Sequence, residues 1–434
     1  MRKLIYIVAV FLLLTEISYS QQYRWYPLPN APQTNSRFED VFFIDANTGW
    51  VIRSTGFPIS LFRTTDGGYS WDTVNVSPIV YSRSIGFANS NTGWIGSYIG
   101  DSTLYKTTNG GLNWSLQLSS QSGDSFAICG LSVVDESNVR GCGAWYGNPK
   151  FYKTDNGGIS WTYYDMSAYA TRLIDCYFTS PDSGFIVGGL GSFEDGKGVV
   201  LFTSDAGQSW QNRMTTQNTG QWGWKISFPT IDTGYVSLEK GGGNGLSYYL
   251  KTTNGGVNWQ ENLFTNFPAD EEGIGFINGN TGWLGGWWFY TYRTTNGGYT
   301  WQQDPWGYNF NRFRKINDTL AYAVGQTVYK YMRDSTVGIS QISSELPDRP
   351  ELSQNYPNPF NPITTIRFQV MDYEHSKLTV FDVLGREVAV LVNEILYPGE
   401  YEYKFDATGL NSGVYYYRIE TFRYTETKKM ILLK

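Results

Sequence analysis

One phrase of eight residues occurs six times in this chain: Thr64–Trp71 (TTDGGYSW), Thr107–Trp114 (TTNGGLNW), Thr154–Trp161 (TDNGGISW), Thr203–Trp210 (TSDAGQSW), Thr252–Trp259 (TTNGGVNW) and Thr294–Trp301 (TTNGGYTW). The closing tryptophans lie 43, 47, 49, 49 and 42 residues apart. A period of this length implies one small supersecondary unit copied around an array, each copy burying its apolar face against its neighbours. Composition agrees with short strands and tight turns: the 434 residues include 48 Gly, and 17% are aromatic.

Every copy has the same grammar. In the second, Ser84–Ala88 is expected as an apolar strand and Asn89-Ser90-Asn91 as a turn, with Thr92–Gly96 a second strand. A variable loop, a third strand over Leu104–Thr107, a turn at Asn109-Gly110-Gly111 and a fourth strand over Asn113–Leu118 follow. Four strands per repeat match one blade of a β-propeller. After the sixth box, Arg312–Arg333 has the pattern of three strands but no box, whereas Tyr23–Pro29, with Trp25, reads as an orphan fourth strand. The economical arrangement is seven blades, with the N-terminal strand (23–29) completing blade 7 and removing open edges.

The boxes themselves read as turn chemistry. Their acceptor position holds Asp66, Asn109, Asn156, Asp205, Asn254 and Asn296. Asn cannot serve as a carboxylate nucleophile or general base, so the shared need is a side-chain oxygen that accepts backbone N–H groups. The second glycine supplies a backbone free to enter positive φ. The closing Trp71, Trp114, Trp161, Trp210, Trp259 and Trp301 are apolar plugs beside the turns.

The ends of the chain read differently. Arg2 and Lys3 precede an apolar run over Leu4–Leu14 and a small-residue site at Ser18-Tyr19-Ser20, the pattern of a secretory signal peptide over residues 1–20. The propeller is expected over 21–335, a polar linker over 336–350, and a separate small β-sandwich with Ig-like character over 351–434. In that last module Tyr401, Tyr403 and Phe405 alternate with Glu402, Lys404 and Asp406, as in a half-buried strand. The whole chain is therefore expected to be all-β. Cys129, Cys142 and Cys176 are odd in number; Cys129 and Cys142 flank one strand–turn–strand segment and could pair, or all three serve as small buried apolar side chains.

Net charge is −6, spread thinly, with no Lys/Arg-rich run, which argues against nucleic acid as a partner. No later stretch is long and apolar enough to suggest a transmembrane helix. With one histidine, His375, and no Cys/His spacing, neither a metal nor another cofactor is expected.

The repeats resemble the BNR/Asp-box propellers, and the TGW strand followed by KTTNGGxxW is most similar to the photosystem II assembly/stability-factor-like propellers. The NYPNPFNP stretch, VFDVLGREV, GEYEYKFDATGLNSGVYYYRI and the terminal KKMILLK resemble a type A C-terminal sorting domain of the type IX secretion system. These resemblances imply a monomeric propeller that crosses the periplasm of a Gram-negative bacterium. The type IX machinery would then read residues 351–434, cleave them, and leave the cargo secreted or on the outer-membrane surface.

For function, the boxes drop out and the loops remain. The residues entering each innermost strand include Arg37, Arg83, Arg172, Trp222, Trp224, Glu271, Arg312 and Arg314, and arginines with aromatics around a channel rim suit an acidic peptide or a glycan. Trp287, Trp288 and Trp306 are further stacking candidates. The expectation is a non-enzymatic module binding a protein or glycan. A glycoside hydrolase, sialidase-like or xyloglucanase-like, is the alternative. It needs two carboxyl groups facing one another across the scissile bond, for which Glu194, Asp195, Glu271 and Glu272 are loose candidates. A third reading, from the resemblance, is an extracytoplasmic assembly factor for a membrane protein.

Overall fold

Short strands joined by tight turns pair most readily with their sequence neighbours, and that local preference builds the whole chain. The computed structural model describes residues 23–434 apart from 29, 54–59, 77–78, 80, 99–101, 120–126, 145–146, 242–244, 305, 334–338, 344–345, 373 and 397. The signal peptide expected over 1–20 lies outside the described residues. All regular structure among the described residues is strand. One compact unit spans Arg24–Met332, and Arg333–Lys434 belong to a second.

The first unit is a β-propeller of seven four-stranded blades. Their innermost strands are Asp40–Phe43, Ser82–Phe87, Gly130–Val133, Arg172–Phe178, Gln221–Ser227, Asp270–Phe276 and Arg312–Asn317. Six blades run from inside outward in chain order. In the seventh, Arg312–Asn317, Leu320–Val324 and Val328–Arg333 are followed outward by Tyr23–Pro27, the first strand among the described residues. A single bridge between Glu239 and Asp270 joins the sheets of blades five and six.

Because neighbouring strands are antiparallel, the first–second and third–fourth turns of every blade emerge on one face. The boxes occupy the third–fourth turns, so this is the box face. The second–third turns and the connections between blades emerge on the opposite, loop face.

Each box ties two turns of its own blade together. The first-glycine N–H donates to the neighbouring turn, as from Gly67 to Asn47 O at 2.8 Å and from Gly110 to Asn91 O at 2.9 Å; in the fourth blade Ala206 does so to Asp182 O at 2.9 Å. Boxes one, two, three and six also receive the preceding blade: Lys330 Nζ donates to Gly67 O, Trp50 Nε1 to Gly110 O, Lys106 Nζ to Gly157 O and Lys251 Nζ to Gly297 O, at 3.1, 2.9, 2.6 and 2.7 Å. These boxes are therefore seams between blades as well as turns.

Aromatic rings continue those seams inward. Phe87 stacks on Trp50 of the blade before it at 3.5 Å, Phe43 on Tyr322 at 3.5 Å and Phe276 on Tyr235 at 3.6 Å. The glycine of each TGW sits across the strand pair from such a ring, Gly93 opposite Phe87 and Gly282 opposite Phe276.

The second unit has two four-stranded sheets that share one apolar core, with Leu352, Ile366 and Phe368 on one side and Leu378, Val380, Tyr417 and Met430 on the other. Ile339–Ser343 falls inside the stretch read from sequence as linker, yet it is a strand of this unit, paired with Gly399–Asp406. Its alternation is too brief to stand out beside so polar a neighbourhood. No helix among the described residues is long and apolar enough to cross a membrane. All three cysteines are buried free thiols, so the Cys129–Cys142 pairing weighed from sequence is not made; Cys142 and Cys176 instead pack in one core cluster.

Candidate functional site

The innermost strands all enter the channel from the loop face, so their first residues converge there. Several carry a β-bulge at this point: between Ser82 and Ser84, Leu173 and Asp175, Gly223 and Ile226, and Glu271 and Gly273. An extra residue re-aims side chains out of the regular alternation. Arg83, Lys225 and Glu272 lie in these bulges, and all three are buried.

The centre of the site is an ion network spanning blades. Arg312 donates from Nε to Asp40 at 3.0 Å and grips Asp175 with both terminal nitrogens, at 2.8 and 2.9 Å. Asp40 also accepts the Val41 and Ile85 N–H groups, and Asp175 that of Ile226. Burial opposes charge on Asp175, but Arg312 and Lys225 outweigh it and hold its carboxyl below the usual range. Burial opposes charge on Arg312 too, but Asp175 and Asp40 outweigh it and raise Arg312. Arg314 lies alongside, its Nε donating to Val41 O at 3.0 Å and its guanidinium over the Phe42 ring.

Nearer the loop face, Glu39 pairs with both Arg83 and Arg37, and Arg37 also pairs with Glu272. Each arginine is backed by an indole: Arg37 over Trp287 at 4.3 Å, Arg83 over Trp224 at 5.0 Å and Arg172 over Trp222 at 5.7 Å. Burial lowers Arg37 to about 10. Three further groups are buried with a nitrogen or oxygen that meets no hydrogen-bond partner: Lys225 at Nζ, Glu239 at Oε2 and Glu271 at both carboxyl oxygens. Burial pushes Lys225 down to about 7, Glu239 up to about 8 and Glu271 well above the carboxylate range.

The residues picked from sequence therefore come together at one end of the channel, but not as an open rim. Arg37, Arg83, Trp222, Trp224 and Glu271 are buried; Arg172 and Arg314 are half-buried. The arginines face internal carboxylates and indoles. Sequence reasoning missed Glu39, Asp40, Asp175, Lys225 and Glu239. The paired acids Glu39-Asp40 and Glu271-Glu272 at the entries to their innermost strands were the available signal. Of the loose carboxylate candidates, Glu194 and Asp195 are exposed, and Glu271 and Glu272 are fully buried.

The stacking candidates separate as well. Trp306 packs face to face on Trp25 at 4.2 Å within the closure seam. Trp287 is half-buried under Arg37. Trp288 is 72% exposed at φ +67°, and its N–H donates to Asn309 Oδ1 at 3.0 Å. Tyr290 is exposed beside it and lies against Tyr308. Tyr81, also exposed on the loop face, meets Tyr98 edge-on.

A family model of the secretion system C-terminal sorting domain matches residues 354–433. The C-terminal unit thus marks the protein for the type IX machinery and for export to the cell surface or extracellular space of a Bacteroidetes-type Gram-negative bacterium. No curated protein matches the chain by sequence. Among solved structures, YCF48 bound to a D1 peptide is 19% identical with a TM-score of 0.52, covering 73% of this chain and 99% of that one. YCF48 from Cyanidioschyzon merolae is 16% identical with a TM-score of 0.53, covering 72% and 99%. The GH74 xyloglucanase from Xanthomonas campestris is 10% identical with a TM-score of 0.51; the match covers 80% of this chain but 60% of the enzyme. At these identities the likeness is one of fold, which a binding protein and a glycosidase share.

Proposed function

We infer that the propeller is an exported, non-catalytic binding module that engages a protein or glycan through its loop face. The observation that carries this reading is the distribution of charge and aromatic surface. Arg37, Arg83 and Arg312 at the channel end are paired with Glu39, Glu272, Asp40 and Asp175 inside the blades, while Tyr81 and Trp288 stand exposed on the loop face. Buried paired charge organises a scaffold, and exposed aromatic surface contributes to binding.

The test measures binding of purified mature protein to cells of the producing strain that lack the gene. Tyr81→Ser on the loop face should lower the bound fraction, and Ile159→Ser on the box face should leave it unchanged. The reverse pattern would overturn the assignment of the face.

One observation favours a glycoside hydrolase as the second reading. Glu239 and Asp270 are bridged across blades five and six, and burial raises the carboxyl of each. A raised carboxyl suits a general acid, but burial of Glu239 stands against its reaching a glycosidic oxygen. Release of reducing ends from xyloglucan, abolished by Glu239→Gln, would establish this reading instead.

A further inference from the structure

The most exposed tryptophan described on the loop face is also held in an unfavourable backbone conformation. Trp288 has φ +67°, a region costly for a bulky side chain. Asn309 fixes it there by accepting the Trp288 N–H, and Asn309 is itself buried at φ +57°. A glycine would satisfy the turn without strain. The indole gains little from burial in return, since 72% of the residue is open to solvent. Beyond its ring contact with Trp287 at 5.7 Å, stability gives little reason for tryptophan at this position.

Its surroundings narrow the ligand. Arg37 covers Trp287, the preceding ring, and is paired with Glu39 and Glu272, so it offers no free cation to an acidic ligand. Asp270 is half-exposed and lies directly across the strand pair from Trp287, which sends both side chains to the same side of the sheet. The Trp287 and Trp288 rings, 5.7 Å apart, with Asp270 across the strand pair from Trp287 and the exposed Tyr290 two residues beyond Trp288, complement a molecule with one apolar face and a hydroxylated edge. A pyranose ring has that shape, and with Arg37 paired inward and the Asp270 carboxyl beside Trp287, a neutral sugar is preferred over an anionic one.

We propose that Trp288, bordered by Tyr290 and Asp270, is a stacking platform for a neutral saccharide on blade six. It rests on the reading of the loop face as the binding face. The sugar lies against the indole by dispersion contacts, and its hydroxyls bond to Asp270 and Tyr290.

Affinity electrophoresis of the full mature chain through gels containing xyloglucan, hydroxyethylcellulose, galactomannan or xylan, with polygalacturonate as the charged comparison, tests this directly. At least one neutral polymer should retard the protein, and Trp288→Gly should weaken that retention about tenfold or more. The same variant should melt at or above the wild-type temperature, because glycine removes the strain; a loss of binding with intact folding separates a ligand contact from a structural role. Retardation by polygalacturonate alone, by no polymer, or equally in Trp288→Gly overturns the platform. If Tyr81→Ser still lowers cell binding in that case, the loop-face reading survives without it; if neither variant changes anything, both fall.

Discussion

At the scale of single residues, the boxes show how Asp and Asn do one job with different protons. In all six, the threonine hydroxyl donates to the Asp or Asn Oδ1, and the second-glycine N–H donates back to that hydroxyl, as in Thr64 to Asp66 at 2.8 Å and Gly68 to Thr64 at 2.9 Å. The second side-chain atom then differs. Ser70 and Ser209 donate to Asp66 and Asp205 at 2.6 Å, whereas Asn156 and Asn296 donate to Ser160 and Thr300. Reversing one hydroxyl preserves the turn, which is why the copies interchange the two residues. The charge still leaves a signature. The serine bonds hold Asp66 and Asp205 down at about 2. A carboxyl lowered on folding contributes stability that is present above its unfolded value near 4 and lost as pH falls through the folded value. The double variant Asp66→Asn/Asp205→Asn should therefore unfold at nearly the wild-type denaturant midpoint at pH 7. Between pH 4 and pH 2 its stability should fall less steeply, by up to about two protons' worth of slope. Parallel acid limbs for the two proteins would show that the carboxylates are not held by these bonds.

At the scale of the blade, the TGW glycine is required by the aromatic ring across the strand pair from it. A Cβ on Gly93 would lie 2.5 Å from the Phe87 ring, and one on Gly282 2.3 Å from Phe276. Those rings are pinned by the stacks on the preceding blade, so they cannot swing clear without opening the seam. Gly93→Ala should cost about 1–3 kcal/mol in denaturant unfolding, as overpacking does. Gly141, whose nearest neighbours to a Cβ are 3.4 Å away, should accept alanine at a change below about 1 kcal/mol. Equal costs at the two sites would mean that strand entropy rather than the ring decides. The repeat made the strands and boxes legible in sequence because turn residues and apolar alternation are local signals. The glycine's reason was not legible, since it lies in the register that sets Phe87 against Gly93. The channel network was only half legible for a related cause. Arg37, Arg83 and Arg172 could be placed at strand entries by counting, but a bulge shifts a side chain without marking the sequence. Lys225 and Glu272 thus turned inward unseen, and arginines read as a ligand-gripping rim met carboxylates instead.

At the scale of the molecule, a ring of blades stays closed only if its last sheet is completed. Tyr23–Pro27 supplies the outer strand of blade seven, and the Leu28 N–H donates to Val328 O at 2.9 Å just beyond it. The strand carries one large buried side chain, Trp25, which stacks on Trp306 and meets Trp283, Phe313 and Tyr331 within 5.7 Å. These rings belong to blades six and seven, so a single residue from the start of the chain joins its last two blades. The opposite side of blade seven is held to blade one by Asn311 donating to Glu39 O, by Tyr322 donating to Ala46 O, and by the Arg312–Asp40 pair. Closure therefore has a side-chain clasp on one flank and a polar seam on the other. Removing the clasp leaves a cavity the size of an indole between blades six and seven. Trp25→Ala should lower the unfolding free energy of the propeller by about 3–5 kcal/mol, the range for emptying a large aromatic site. Trp25→Phe should recover part of that loss. Because the blades share seams all the way round, the variant should unfold in one transition at a lower denaturant concentration rather than shed blade seven first. A separate early transition would show that the clasp fastens only its own blade, and a loss below about 1 kcal/mol would place the closure in the polar seam alone.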